Sequence, residues 1–131
     1  MKIENIQRRF TKKLRGCKNL SYIDRLQLLG AETLELRRLK QDLCTMYKII
    51  NKLIDVDMET LFEFSNYNRT RGNSFKLVKP VCKNNTRAFK FSCRNINCWN
   101  NLPDYCVCAE SLNIFKSCIK GTNFNKFLYV T

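Results

Sequence analysis

The 131-residue sequence predicts a predominantly α protein, a small helical domain of about five helices with at most one short β element in its basic middle region. Two observations carry this. Apolar residues recur three and four positions apart through most of the chain, and residues that cap helices stand just ahead of those runs. With four Gly and two Pro, 44% hydrophobic and 27% charged residues, the composition is that of a folding chain rather than a linker. The length suits one domain, 1–131, with a modest core and a loosely held tail at 121–131.

In the first segment Ile3, Ile6, Phe10 and Leu14 form an apolar helical stripe expected to face a core, and Arg8, Arg9, Lys12, Lys13 and Arg15 occupy the remaining surface until Gly16. Ser21 with Asp24 three residues on imitates a capping box, Asp replacing the usual Glu, and opens a short helix in which Tyr22, Leu26 and Leu29 face inward; Gly30 stops it. Thr33 caps the longest helix, about 33–53, whose Leu36, Leu39, Leu43, Met46, Tyr47 and Ile50 make a wide buried stripe. Asp57 caps a short helix through Phe62; the carboxylates Asp55, Asp57 and Glu59 have neither the Gly turn nor the ligand alternation of a cation loop.

Residues 65–68 read as loop and 69–74 as a basic turn, and Phe75 to Lys79 alternate like a short strand that Pro80 interrupts. Phe89, Cys93, Ile96 and Trp99 fit one helix that Asn101-Leu102-Pro103 ends. Ser111 caps a last helix with Leu112, Phe115, Cys118 and Ile119 on one side, and Gly121 marks its exit.

The chain carries 24 Lys and Arg against 11 Asp and Glu, a formal net charge of +13. The excess sits in two blocks: +6 over residues 1–20, and +8 over residues 64–103, which hold no acid at all. Many such side chains in any basic protein are merely solvated. Their functional reading is contact with a nucleic-acid backbone, where Lys and Arg displace condensed counterions. The candidate contacts are Arg8, Arg9, Lys12 and Lys13 on the first helix and Arg69, Arg71, Lys76, Lys79, Lys83 and Arg87 in the middle region; Tyr67 and Phe75 stand beside the latter as possible stacking platforms.

Histidine is absent, which excludes Ser-His-Asp and Cys-His nucleophilic pairs and His-containing zinc sites. No phosphate-cradling G-x-x-x-x-G-K-[ST] loop and no convergent acid/base pair is visible, so no catalytic residue, cofactor or small-molecule substrate is expected. Of the eight Cys, the series Cys93, Cys98, Cys106, Cys108 and Cys118 lacks paired knuckle spacing; these read as small core hydrophobes, not metal ligands. The longest apolar candidate, Leu43 to Ile54, is interrupted by Lys48, Asn51 and Lys52, and Met1 to Asn5 lack the apolar run of a secretory signal. The expectation is an intracellular protein, cytoplasmic or nuclear, not secreted, with reduced thiols and no membrane partner.

An ordered series of words then resembles the carboxy-terminal region, beyond the polymerase core, of reverse transcriptases encoded by non-LTR retrotransposons of the jockey and chicken-repeat clades. The words are Ile3-Glu4-Asn5-Ile6-Gln7-Arg8-Arg9-Phe10-Thr11, Asn19-Leu20-Ser21-Tyr22-Ile23-Asp24-Arg25-Leu26, and Leu34-Glu35-Leu36-Arg37-Arg38-Leu39 running into Asp42-Leu43. They continue with Met46-Tyr47-Lys48-Ile49, Arg69-Thr70-Arg71-Gly72-Asn73-Ser74-Phe75-Lys76-Leu77, Trp99-Asn100-Asn101-Leu102-Pro103 and Ser111-Leu112-Asn113-Ile114-Phe115-Lys116, covering about residues 3–120. The chain departs from the family pattern at Asn73, where His is frequent, and at Cys98, Cys106, Cys108 and Cys118, mostly other residues in the family.

The resemblance implies a parent RNA-directed DNA polymerase of which this chain is the end, and a Met1 that is either an internal methionine in a decayed or truncated copy or the start of a gene model. The family's aromatic-x-Asp-Asp turn, which holds Mg2+ for phosphoryl transfer, does not occur here. The expected function is therefore a catalytically inert contribution to RNA or DNA backbone binding. The alternatives are a structural buttress on the parent polymerase and a decayed remnant.

Overall fold

The computed structural model describes residues 2–65, 75–79 and 91–128. It is predominantly α, as the periodicity predicts: α1 (Lys2–Lys12), α2 (Tyr22–Leu29), α3 (Leu34–Ile50), α4 (Met58–Leu61), α5 (Phe91–Arg94), α6 (Ile96–Asn100), α7 (Asp104–Val107), α8 (Leu112–Lys120) and a 3-10 turn at Asn125–Phe127. The described residues form two compact units, one from Met1–Leu39 with Phe124–Thr131 and one from Lys40–Asn123, so the division falls inside α3.

In the first unit Ser21 caps α2, its Oγ accepting from Asp24 N at 3.2 Å and donating to Asp24 Oδ2 at 2.6 Å. Gly30 closes α2 in the left-handed region at φ 63°, with the Ala31 N–H returned to Leu26 O at 2.9 Å. Tyr22, Leu26, Leu39, Cys17 and Phe124 are buried. Leu29, expected inside, is exposed.

The larger departure is α1. Ile3, Ile6 and Phe10 are 67%, 68% and 63% exposed, and Leu14 is half-buried. The buried positions are instead Glu4 and Thr11. The physical reason is that the polar side of α1 meets strong partners in α2 and at the start of α3, and a helix cannot present two sides to one neighbour.

In the second unit α3 buries Leu43, Met46, Tyr47 and Ile49. It ends at Ile50, short of the expected Leu53: Lys52 takes φ 56°, and Leu53 N returns to Lys48 O at 2.8 Å. Tyr47 stacks on Phe115 of α8 with ring centroids 4.6 Å apart, Trp99 of α6 lies 5.9 Å from the same ring, and Tyr47 donates its OH to Ala109 O at 2.5 Å. Asp57 caps α4 by accepting from Glu59 N at 3.1 Å, and Ser111 caps α8 by accepting from Ile114 N at 3.3 Å.

The single helix expected across Phe89 to Trp99 is broken at Asn95; Phe89 itself lies outside the described residues. Asn95 Nδ2 donates to Asp42 Oδ2 at 2.7 Å, while Arg94 donates to both Asp42 oxygens at 2.9 Å. This network takes two adjacent side chains to one carboxylate on α3, which continuous helical spacing would splay apart. The helix α7 was not expected after Pro103, whose fixed φ of −64° suits the position just before a first turn. The tail also contains an unexpected 3-10 turn.

The β element is minimal among the described residues: an isolated antiparallel bridge between Phe64 and Leu77, with Ser65 N donating to Lys76 O at 2.8 Å and Val78 N to Glu63 O at 2.7 Å. Asn100 completes the pairing from the other side. Its Oδ1 accepts from Leu77 N at 2.8 Å and its Nδ2 donates to Leu77 O at 2.9 Å, as a neighbouring strand would.

Trp99 has no exposed surface. Trp99→Ala is expected to destabilise the chain by about 3–5 kcal/mol, the usual cost of emptying an aromatic core site. Urea unfolding followed by far-UV circular dichroism checks it; an unchanged midpoint would remove Trp99 from the core.

Candidate nucleic-acid interface

The orientation of α1 is fixed by one carboxylate. Glu4 accepts a hydrogen bond from the Tyr22 OH and two more from the first amides of α3, Leu34 N at 3.3 Å and Glu35 N at 3.2 Å. It serves that helix as an N-terminal cap supplied from 30 residues away, where a negative charge also meets the positive end of the helix dipole. Thr33, the cap read from sequence, adds its Oγ1, which accepts from Leu36 N at 3.2 Å.

One turn on, Gln7 donates to the Tyr22 OH at 2.9 Å and to Glu32 O at 3.0 Å. Thr11 accepts from Arg25 Nε at 3.1 Å, and the other arms of that guanidinium reach Leu20 O at 2.7 Å and Arg8 O at 3.2 Å. Arg25 is therefore a buried structural cation, each of its three nitrogens donating to a backbone carbonyl or a hydroxyl.

Glu4, Gln7 and Thr11 thus define the bound side of α1. At 100° per residue, Ile3, Ile6 and Phe10 fall on one flank of that side, Lys12 on the other flank, and Arg9 faces away from it. Arg9, Lys12 and Lys13 are exposed. Arg8 is different: half-buried, it places its guanidinium 4.6 Å from the centre of the Tyr22 ring, whose other cationic neighbour is Arg25 at 5.5 Å. The sequence grouped Arg8 with the solvent-facing bases; in the structure its head is engaged by an aromatic face.

In the second unit Lys76 is half-buried and its carbonyl is used in the bridge, whereas Lys79 is exposed beyond the anchored Leu77. Phe75 is 39% exposed, lies 6.1 Å from Phe64, and gives its carbonyl to Trp99 Nε1 at 3.0 Å. Arg69, Arg71, Lys83, Arg87 and Tyr67 lie outside the described residues. Sequence reasoning missed Phe10, an aromatic among exposed bases; its helical spacing pointed to a core, and only the long-range partners of Glu4 reveal otherwise.

The first unit also has a cleft of about 450 Å3 lined by Ile23, Leu26, Ala31, Leu36 and Leu128, with Glu32 its acidic lining residue. Gln27, Thr33 and Asn125 complete its lining. Among the described residues no group of His, Cys, Asp and Glu is arranged to hold a metal ion, and no helix is long and apolar enough to cross a membrane. Compared with protein-family models, curated proteins and solved structures, the chain matches none.

Burial, and secondarily the hydrogen bond to Glu4, pushes the Tyr22 hydroxyl up from 10.0 to about 12, and burial raises Tyr47 as well. A phenol that holds its proton more tightly when folded contributes stability below its unfolded pKa and loses that contribution as pH rises through the folded value. Stability is therefore expected to fall between pH 10 and about 12, and Tyr22→Phe to flatten that part of the profile. Unfolding midpoints measured across this range check both; an identical alkaline slope in Tyr22→Phe would contradict the assignment.

Proposed function

We propose that the chain is a catalytically inert, nucleic-acid-binding carboxy-terminal piece of a non-LTR retrotransposon reverse transcriptase, gripping the phosphate backbone of RNA or DNA for a polymerase encoded in the same frame. The observation that carries the binding is α1 and the turn after it: a helix locked in rotation by Glu4, presenting Arg9, Lys12 and the exposed ring of Phe10, with exposed Lys13 just past its end. Cations supply sequence-independent affinity, and an aromatic exposed on the flank adjoining Arg9 supplies a surface for an unpaired base. The net charge of +13 and the acid-free block at 64–103, with Arg69, Arg71, Lys76, Lys79, Lys83 and Arg87, support the same reading. The retrotransposon origin rests on the ordered words between Ile3 and Lys116. The polymerase and endonuclease chemistry belongs to the parent; this chain supplies no residue to either.

A second reading is favoured by a specific observation. Ile3 and Ile6 continue the exposed flank that Phe10 ends, and an apolar helix flank of this kind is what a buttress would press against a neighbouring domain. The readings separate cleanly, because reversing Arg9, Lys12 and Lys13 attacks the first and Ile6→Asp the second.

Titration of a labelled single-stranded RNA with the full chain tests the first reading. If about six phosphates are contacted, affinity for nucleic acid falls by roughly a hundredfold to a thousandfold between about 50 and about 200 mM salt. Arg9→Glu, Lys12→Glu and Lys13→Glu together should weaken binding and flatten the logarithmic salt slope by about 0.7 for each phosphate of a single strand that is no longer neutralised. A salt-independent isotherm, or a triple variant that binds like the parent sequence, would overturn the proposal.

A further inference from the structure

The sequence reads Cys106 and Cys118 as separate core thiols, one before and one inside the last long helix. The structure brings them together. Cys106 on α7 has no exposed surface, Cys118 on α8 is half-buried, neither is in a disulfide, and α7 packs on α8. Cys118 Sγ lies 3.9 Å from Tyr105 O, the carbonyl just ahead of Cys106, so the two packed helices bring these cysteines into one neighbourhood. A disulfide needs the two β-carbons about 3.5–4.5 Å apart, a separation within reach of cysteines that face each other across two packed helices.

We propose that Cys106 and Cys118 are an oxidisable dithiol, a modification site at which exchange with a small soluble disulfide closes a covalent bond between α7 and α8. The difference in exposure assigns the roles. The Cys118 thiolate, the reachable partner, attacks one sulfur of glutathione disulfide; a mixed disulfide forms and glutathione leaves as thiolate. Cys106 then attacks the Cys118 sulfur, its proton passing to the departing second glutathione. Two protein thiols are oxidised and one disulfide is reduced to two glutathione thiols. Burial and its Cys118 neighbour push Cys106 up to about 12, so the buried thiol stays protonated while Cys118 makes the first attack. The bond would fasten α8, and with it Phe115 at the centre of the aromatic cluster, without touching the basic residues of α1. The inference is thus independent of the nucleic-acid reading.

The test uses the full folded chain incubated with glutathione disulfide, alkylated, and digested with trypsin without reduction. Cleavage after Lys116 and Lys120 isolates Cys118 in the peptide 117–120. That peptide is expected to appear joined to the one carrying Cys106, two hydrogens lighter than the sum, and to be released by reductant. Cys118→Ser should abolish the bridge, Cys108→Ser should preserve it, and Cys106→Ser should leave glutathione trapped on Cys118. Circular dichroism on each variant confirms that α8 has formed. Recovery of Cys118 from the unsubstituted chain in alkylated or merely glutathionylated form, with the disulfide in excess, would overturn the proposal. Loss of the bridge in a folded Cys108→Ser variant would do the same.

Discussion

The carboxylate of Glu4 decides what the amino-terminal half of the chain shows to its surroundings. Three donors converge on it, two of them backbone amides at a helix start that otherwise lack intrahelical acceptors. Because those amides belong to α3 and the phenol to α2, one side chain fixes both the position and the rotation of α1. A rotation of α1 that buried Ile3, Ile6 and Phe10 would leave a buried phenol and two amides unsatisfied, each worth about 1–3 kcal/mol of desolvation. That penalty rivals the gain from covering the apolar flank. The exposed flank and the exposed bases are two results of the same constraint.

Asp42 plays the corresponding part in the second unit. It binds Arg94 in a two-pronged pair and Asn95 beside it, 52 and 53 residues along the chain. The break between α5 and α6 follows from that geometry. It starts α6 afresh, so that Trp99 reaches the Phe75 carbonyl while Asn100 reaches both backbone groups of Leu77. The segment leading to Lys79 is thereby held on one side by the bridge to Phe64 and on the other by side chains of a helix. In both units a buried polar side chain, rather than apolar packing alone, sets where the basic residues emerge.

What the sequence made legible was local. Caps at Ser21, Asp57 and Ser111 act within three residues of themselves and are found in the structure, and the α3 stripe needs only a helical period and a neighbour: Leu39, Leu43, Met46 and Tyr47 are buried, while Leu36 and Ile50 are half-buried and Ile49, outside the expected stripe, is buried. The orientation of α1, the break at Asn95 and the meeting of Cys106 with Cys118 depend on partners 12 to 53 positions away. Periodicity carries no information at that range. For α1 it was misleading, since the apolar stripe of Ile3, Ile6 and Phe10 is real as a pattern and yet lies outside. Of the candidate interface, Arg9, Lys12, Lys13 and Lys79 were readable as bases that would be exposed, whereas the engagement of Arg8 by Tyr22 and the exposure of Phe10 required the fold.

Hydroxyl-radical footprinting of the full chain, free and with a single-stranded RNA, tests the central claim most directly, because one experiment reports both the rotation of α1 and its use. Heavy oxidation of Phe10 and Ile6 with protection of Tyr22 is predicted in the free chain, and protection of Phe10 once RNA is bound. Phe10 already shielded in the free chain would contradict the rotation that Glu4 imposes. Phe10 equally reactive with RNA bound would contradict the assignment of the α1 surface to that partner.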